Sequence, residues 1–107
     1  MAFEALEMSL IVLERLVPIE KKVRQKRKSL ADEMGRAGDS IPLNLSEGHK
    51  RIGLDRADFF RRAEGSGGEL TTCLRMALLR GIITKEDFDW VDEPLDRVRA
   101  MMWKMTH

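Results

Sequence analysis

The sequence has one cysteine, three prolines, no tyrosine and no long apolar run among its 107 residues. A single cysteine cannot form an internal disulfide bond. No apolar run approaches the roughly 20 residues that a membrane-spanning helix needs. The N-terminal segment MAFEALEMSL carries acids where a signal peptide would carry bases. We therefore expect a cytoplasmic protein that does not enter a membrane.

Residues suited to catalysis or metal binding are also scarce. Cys73 is the only thiol, and a catalytic thiolate needs a basic partner, usually a histidine. The only histidines are His49 and His107, so Cys73 is interpreted as a small core residue. The Glu-x-x-His motif of di-iron bundles does not occur, and the acids follow a solvated helical face. The sequence predicts no enzyme, no metal site and no cofactor.

The composition is that of a helical chain, with 43% apolar and 35% charged residues. The apolar spacing predicts helices over about 3–26, 29–47 and 55–80, and a fourth helix that starts at residue 84. Short connections between them favour antiparallel neighbours. We predict an all-α fold, a single domain over 1–107 arranged as an up-down-up-down four-helix bundle.

The first predicted helix is apolar on more than one face. One stripe is assigned to the core and consists of Leu6, Leu10, Leu13, Val17 and possibly Val23. Further apolar residues lie on other faces, namely Met8, Ile11, Val12 and Leu16. A helix that is apolar on more than one side is buried on more than one side. Either Pro18 re-aims the helix or another subunit covers it, and we predict a homo-oligomer.

Capping signals mark the predicted helix ends. Ser29 is expected to cap the second helix, and Gly48 to end it. Gly81 is expected to stop the third helix. Thr84 and Asp87 form a capping box in its aspartate form, which predicts the start of the fourth helix.

The segment RAEGSGGELTT, residues 62–72, raises the question of a phosphate-binding loop. The P-loop motif needs a lysine after its last glycine, but Glu69 follows here. No strand precedes the glycines, as a dinucleotide fingerprint would require. The helical interpretation is favoured, with the glycines allowing close approach of Trp90, Trp103 or the kinked helix at Pro42.

Two motifs resemble a known family of small helical proteins. The segment RAGDSIPLNLSEG, residues 36–48, follows a pattern like R-A-x-x-S-I-P-x-N-I-A-E-G. A second motif is matched by Asp58, Phe59, Arg61, Ala63, Gly65, Ser66, Glu69 and Leu70. Both are typical of the proteins first noticed as products of intervening sequences in large-subunit ribosomal RNA genes.

The resemblance implies a four-helix bundle that assembles into a ring-like homopentamer. The accessory proteins of diversity-generating retroelements look like relatives. In them a pentamer with a basic surface binds nucleic acid and a reverse transcriptase. The partners implied for this chain are therefore further copies of itself, DNA or RNA, and a reverse transcriptase.

Basic residues concentrate in the segment EKKVRQKRK, residues 20–28. Phosphate contacts by lysine and arginine need no further motif, and a ring would multiply the charge. We predict non-specific nucleic-acid binding there; the alternative is a protein-interaction scaffold that uses the acidic segment 86–96 or the apolar first helix. The candidate binding residues are Lys21, Lys22, Arg24, Lys26, Arg27 and Lys28, with Lys50 and Arg51 expected to extend the same surface.

Overall fold

The computed structural model describes residues 2–107, and these residues form four α-helices and no strand. Each helix contacts the next along the chain, and the last helix contacts the first, which closes a bundle of 43 × 22 × 20 Å. The predicted all-α four-helix fold is confirmed. The helices are α1 Ala2–Lys26, α2 Lys28–His49, α3 Gly53–Leu79 and α4 Lys85–Thr106.

Contacts between helices show that neighbours run in opposite directions. In α1 and α4, Lys22 bonds Asp87 near one end of the bundle, and Arg15 bonds the carbonyl oxygen of Trp90 further along. In α3 and α4, Glu64 accepts a hydrogen bond from Thr106. As a result, the α1–α2 and α3–α4 connections lie at the same end of the bundle.

The buried stripe of α1 differs from the predicted one. The core residues are Ala2, Ala5, Ser9, Val12, Leu16, Ile19 and Val23, alternately three and four positions apart. Leu10 and Val17, which were assigned to the core, are instead half-exposed. Both stripes are apolar with helical spacing, so periodicity cannot choose between them. The bundle buries the stripe that contains alanine and serine, which lets the neighbouring helices approach closely. Pro18 does not interrupt α1.

The buried residues of α2 and α4 follow the helical spacing of apolar residues. Those of α2 include Leu30, Met34, Ala37, Ile41 and Leu45, and those of α4 include Val91, Leu95, Val98 and Met102. In α3 the buried phenylalanine is Phe60, whereas Phe59 is partly exposed.

The predicted end signals of α3 and α4 are confirmed. The Thr84 hydroxyl accepts a bond from the Asp87 amide at 3.0 Å, and the Asp87 carboxylate accepts one from the Thr84 amide at 3.1 Å. Gly81 has a φ of 70°, the left-handed conformation that lets the chain leave α3.

The two predicted end signals of α2 are wrong. The helix begins at Lys28, with only Arg27 between it and the end of α1, and no side chain caps it. Gly48 lies inside the helix and is buried against Phe60 of α3. A Cβ atom at this position would stand 2.6 Å from Cε1 of Phe60, so glycine is needed for packing and does not end the helix. The left-handed glycine of this connection is Gly53, with a φ of 64°.

The glycine run lies within α3, as the helical interpretation predicts. A Cβ atom on Gly67 would stand 3.1 Å from Cγ of Arg99 and from Cε of Met102. The expectation that a tryptophan fills this groove is wrong, since Trp90 and Trp103 are both exposed. The glycine therefore makes room for the two flexible side chains of α4.

Candidate nucleic-acid interface

The predicted binding residues divide between the two ends of the bundle. Residues 21–28 lie where α1 ends and α2 begins, and we call this the basic end. Lys50 and Arg51 follow the other end of α2. A 22-residue helix is roughly 33 Å long, so the two groups do not form one surface within a subunit. The expectation that Lys50 and Arg51 extend the same surface is wrong for a single copy.

Three of the six cations at the basic end are engaged by carboxylates. Lys22 bonds Asp87 of α4 at 2.7 Å, and this bond lowers the pKa of the Asp87 carboxyl group. Lys28 and Arg24 bond Asp32 at 3.0 Å and 2.8 Å, and together they hold the pKa of Asp32 below its usual range. The Arg24 and Lys22 pairs join α1 to α2 and α4, whereas the Lys28 pair lies within α2. The carboxylates partly neutralise all three cations.

At the opposite end, Arg51 is also engaged. Its guanidinium group donates to Asp55 at 2.8 Å and to Glu47 at 3.3 Å, and these carboxylates raise its pKa. It also lies over the ring of Phe59, 5.2 Å from the ring centre. Lys50 is exposed and forms no ion pair with any residue of the described chain. Arg51 thus organises the α2–α3 connection.

The remaining cations of the basic end are exposed. Within residues 2–107, no carboxylate lies within 4 Å of Lys21, Lys26 or Arg27. Lys26 and Arg27 line a cleft of about 370 Å³ together with Arg80, Gly81 and Ile82. Arg80 is not among the binding residues predicted from the sequence. The predicted up-down-up-down order could have indicated it, because that order places the α3–α4 connection beside the α1–α2 connection.

Helix dipoles account for part of this charge distribution. Both α1 and α3 end at the basic end, and the C-terminus of a helix carries partial negative charge. Lys26, Arg27 and Arg80 stand at these termini, so they stabilise the fold as well as presenting positive charge to solvent. The surface available to phosphate is therefore Lys21, Lys26, Arg27 and Arg80.

Part of the acidic segment of α4, residues 86–96, is engaged in ion pairs with α1. Glu93 pairs with Arg15 of α1 at 3.8 Å, in addition to the Lys22–Asp87 pair. Burial, together with nearby Asp96, raises the pKa of Asp92. The charges that are separated along the sequence therefore meet across the α1–α4 interface.

An apolar surface runs along the outside of α1. Phe3, Leu10 and Val17 are exposed there, and Leu43 of α2 extends the surface with 68% of its area accessible. A groove of about 370 Å³ lies between the two helices and is lined mainly by Leu6, Leu10, Leu13, Pro42 and Leu43. Exposed apolar surface of this kind is typical of a protein–protein contact.

Residues 2–107 show neither a reactive thiol nor a cluster of metal ligands. Cys73 is buried, and burial raises the pKa of its thiol, which disfavours the reactive thiolate. No group of three or more potential metal ligands occurs in this part of the chain. None of the described helices is both long enough and apolar enough to cross a membrane.

Comparisons with known proteins agree with the fold. The family model described as 23S rRNA-intervening sequence protein matches residues 3–104. A crystal structure from Bacteroides thetaiotaomicron VPI-5482, titled as a protein with unknown function from the S23 ribosomal protein family, has a TM-score of 0.87 to this chain. The alignment covers 95% of this chain and 97% of the other at 18% identity, which shows a common fold. No curated protein matches the sequence significantly.

Proposed function

Because this chain belongs to the 23S rRNA-intervening sequence protein family, we propose that it is a non-enzymatic helical bundle that forms a homo-oligomer and binds nucleic acid without sequence preference. The main support for nucleic-acid binding is the cleft at the basic end, which Lys26, Arg27 and Arg80 line together. Exposed lysine and arginine side chains contact phosphates through charge, which gives affinity without base recognition.

The outer apolar surface of α1 supports the oligomer. In a monomer, Phe3, Leu10, Val17 and Leu43 would remain exposed to water. A ring is proposed, and the family resemblance favours five subunits. If the helices lie along the ring axis, every basic end faces the same side. Their fields then add, which strengthens phosphate binding. The resemblance also makes a reverse transcriptase a proposed partner, and its co-purification from the native host tests this.

Gel retardation of a duplex DNA tests the nucleic-acid proposal. The variant Lys26→Glu/Arg27→Glu changes two cations that have no carboxylate partner. Loss of their interaction with the helix termini costs about 1 kcal/mol or less per residue, so helicity and subunit number should persist. Its matched control is Arg97→Glu/Lys104→Glu, an equal charge change on exposed residues of α4. We expect wild-type binding to fall steeply with salt, and the first variant to lose most of it while the control retains it.

Two results would contradict the proposal. Equal weakening by both variants would mean that only the total charge matters. No retardation of duplex or single-stranded DNA or RNA at about 50 mM salt would remove nucleic-acid binding altogether.

A protein-interaction scaffold is the second candidate function. A separate groove of about 620 Å³ between α3 and α4 is lined by Thr72, Arg75, Met76, Leu78, Leu79 and Phe88. Leu79 is 87% exposed, and its side chain contributes little to the core. This groove favours the scaffold if nucleic acid does not bind.

A further inference from the structure

A second polar cleft lies at the end of the bundle opposite the basic end. It has a volume of about 370 Å³ and is formed by the first half of α3 and the last turns of α4. Its lining residues are Arg61, Glu64, Gly65, Arg99, Thr106 and His107. Two arginines, one carboxylate and an aromatic ring thus surround one solvent-accessible space.

An exposed aromatic stack borders this cleft. The rings of Trp103 and His107 are stacked, with their centres 4.5 Å apart and their planes within 11° of parallel. Trp103 is 55% exposed, so it contributes little to the core. One face of His107 is covered by Trp103, and His107 also lines the cleft. Exposed aromatic rings beside arginines are the elements with which proteins stack unpaired nucleobases.

The two arginines of the cleft are engaged differently. Arg99 donates to the hydroxyl of Thr71 at 3.1 Å, and its Nη2 atom lies 3.9 Å from the position that a Cβ atom on Gly68 would occupy, so its guanidinium group is directed along α3 toward Thr71. Arg61 is exposed and has no carboxylate partner within 4 Å in residues 2–107, so it is available to an anion. The adjacent Arg62 differs, because it bonds Asp58 at 2.9 Å.

Gly65 leaves the floor of the cleft open. No atom lies within 4 Å of the position that a Cβ atom would occupy there. Packing within the subunit therefore does not require glycine, although glycine in a helix interior is less stable than alanine. The absence of a side chain is explained if a ligand approaches the backbone of α3.

We propose that this cleft binds an unpaired nucleotide. The base stacks on the face of His107 that Trp103 does not cover, and the phosphate group contacts Arg61. Glu64 accepts a hydrogen bond from Thr106 and retains further acceptor capacity for the base. Guanine fits this acceptor best, because its N1–H and N2–H groups are adjacent donors that match the two oxygens of a carboxylate.

This site is separate from the basic end and recognises a different part of a nucleic acid. The basic end contacts the phosphates of a duplex, whose bases are stacked on each other and unavailable. The opposite cleft needs an exposed base together with one phosphate. Loss of duplex retardation would therefore leave nucleotide binding intact, and the reverse also holds.

Tryptophan fluorescence tests the proposal directly. Trp90→Phe leaves Trp103 as the only tryptophan, since the chain has two. Titration with guanosine monophosphate should then quench the fluorescence saturably. Guanosine without phosphate, inorganic phosphate and uridine monophosphate should each bind at least about tenfold more weakly, since each lacks part of the recognised group.

A pair of adjacent variants provides the control. In the same background, Arg61→Gln should weaken guanosine monophosphate binding at least about tenfold, because it removes a phosphate contact. Arg62→Gln carries the same charge change one residue away and should leave binding unchanged. Circular dichroism should show equal helicity for both variants, and their retardation of duplex DNA should be equal.

Three results would overturn the proposal. The first is the absence of saturable quenching by guanosine monophosphate in the folded protein. The second is equal weakening by Arg61→Gln and Arg62→Gln, which would reduce the effect to total charge. The third is equal binding of guanosine and guanosine monophosphate, which would leave Arg61 without a role.

Discussion

Replacing single glycines by alanine should give opposite results at different positions of the same bundle. Alanine favours a helix by about 1 kcal/mol over glycine. Gly48, Gly65 and Gly67 all lie inside helices without the positive φ that disfavours alanine. The gain in helix propensity on replacing glycine by alanine is therefore similar at each position. Differences between the variants in the free energy of unfolding then measure tertiary packing.

The structure gives the expected magnitudes. At Gly65 a methyl group meets no atom within 4 Å, so Gly65→Ala should stabilise the protein by about 1 kcal/mol. At Gly67 it would stand 3.1 Å from the flexible side chains of Arg99 and Met102, so Gly67→Ala should be roughly neutral as the two terms cancel. At Gly48 it would stand 2.6 Å from the ring of Phe60 and 3.2 Å from Cβ of Phe59.

The Gly48 site cannot adjust so easily, because a buried aromatic ring and a Cβ atom have little freedom to move. Overpacking costs about 1–3 kcal/mol against a helix gain of about 1 kcal/mol, so Gly48→Ala should destabilise the protein by up to about 2 kcal/mol.

Urea denaturation at one fixed protein concentration measures these free energies of unfolding, since an oligomer's stability depends on concentration. Thermal unfolding should show the same order, with a shift of about 4–8 °C per kcal/mol in a chain of this size. If Gly48→Ala stabilises the protein as much as Gly65→Ala, this result would contradict the close packing of Gly48 against Phe60.

Three further predictions concern the surface and the core. Light scattering should give several times the monomer mass of 12.3 kDa, and Leu10→Asp/Val17→Asp should reduce it to that mass; a wild-type mass of 12.3 kDa would contradict the apolar contact. The depressed pKa of Asp87 means that its pair with Lys22 stabilises the fold above the carboxyl group's ordinary value of 3.8 and loses this effect as the pH falls through the folded-state pKa. Asp87→Asn should therefore reduce the acid-induced loss of stability measured by urea titration, whereas an unchanged pH profile would argue against the pair. The buried, raised-pKa thiol of Cys73 should react with a thiol reagent many times more slowly in the native state than in denaturant, and equal rates would contradict its burial.

The sequence alone determined the features that depend on neighbouring residues. Four helices follow from the apolar spacing, and the capping box of Thr84 and Asp87 involves residues three positions apart. The core stripes of α2 and α4 were predictable, because each of these helices has one clear apolar face opposite a charged one. The helical state of the glycine run followed from the apolar residues on both sides of it.

Only the tertiary structure decided which of several equivalent local patterns is used. The two stripes of α1 have similar spacing, and contact with α2 and α4 selects the one with small residues. Gly48 resembles a helix stop until Phe60 of α3 packs against it. Whether a cation is free or paired depends on partners such as Asp87, which lies 65 positions from Lys22. The convergence of Arg61, Glu64 and His107 likewise depends on the register of α3 against α4. Spacing along one helix carries no information about that register, because it is set by how the side chains of two helices interlock.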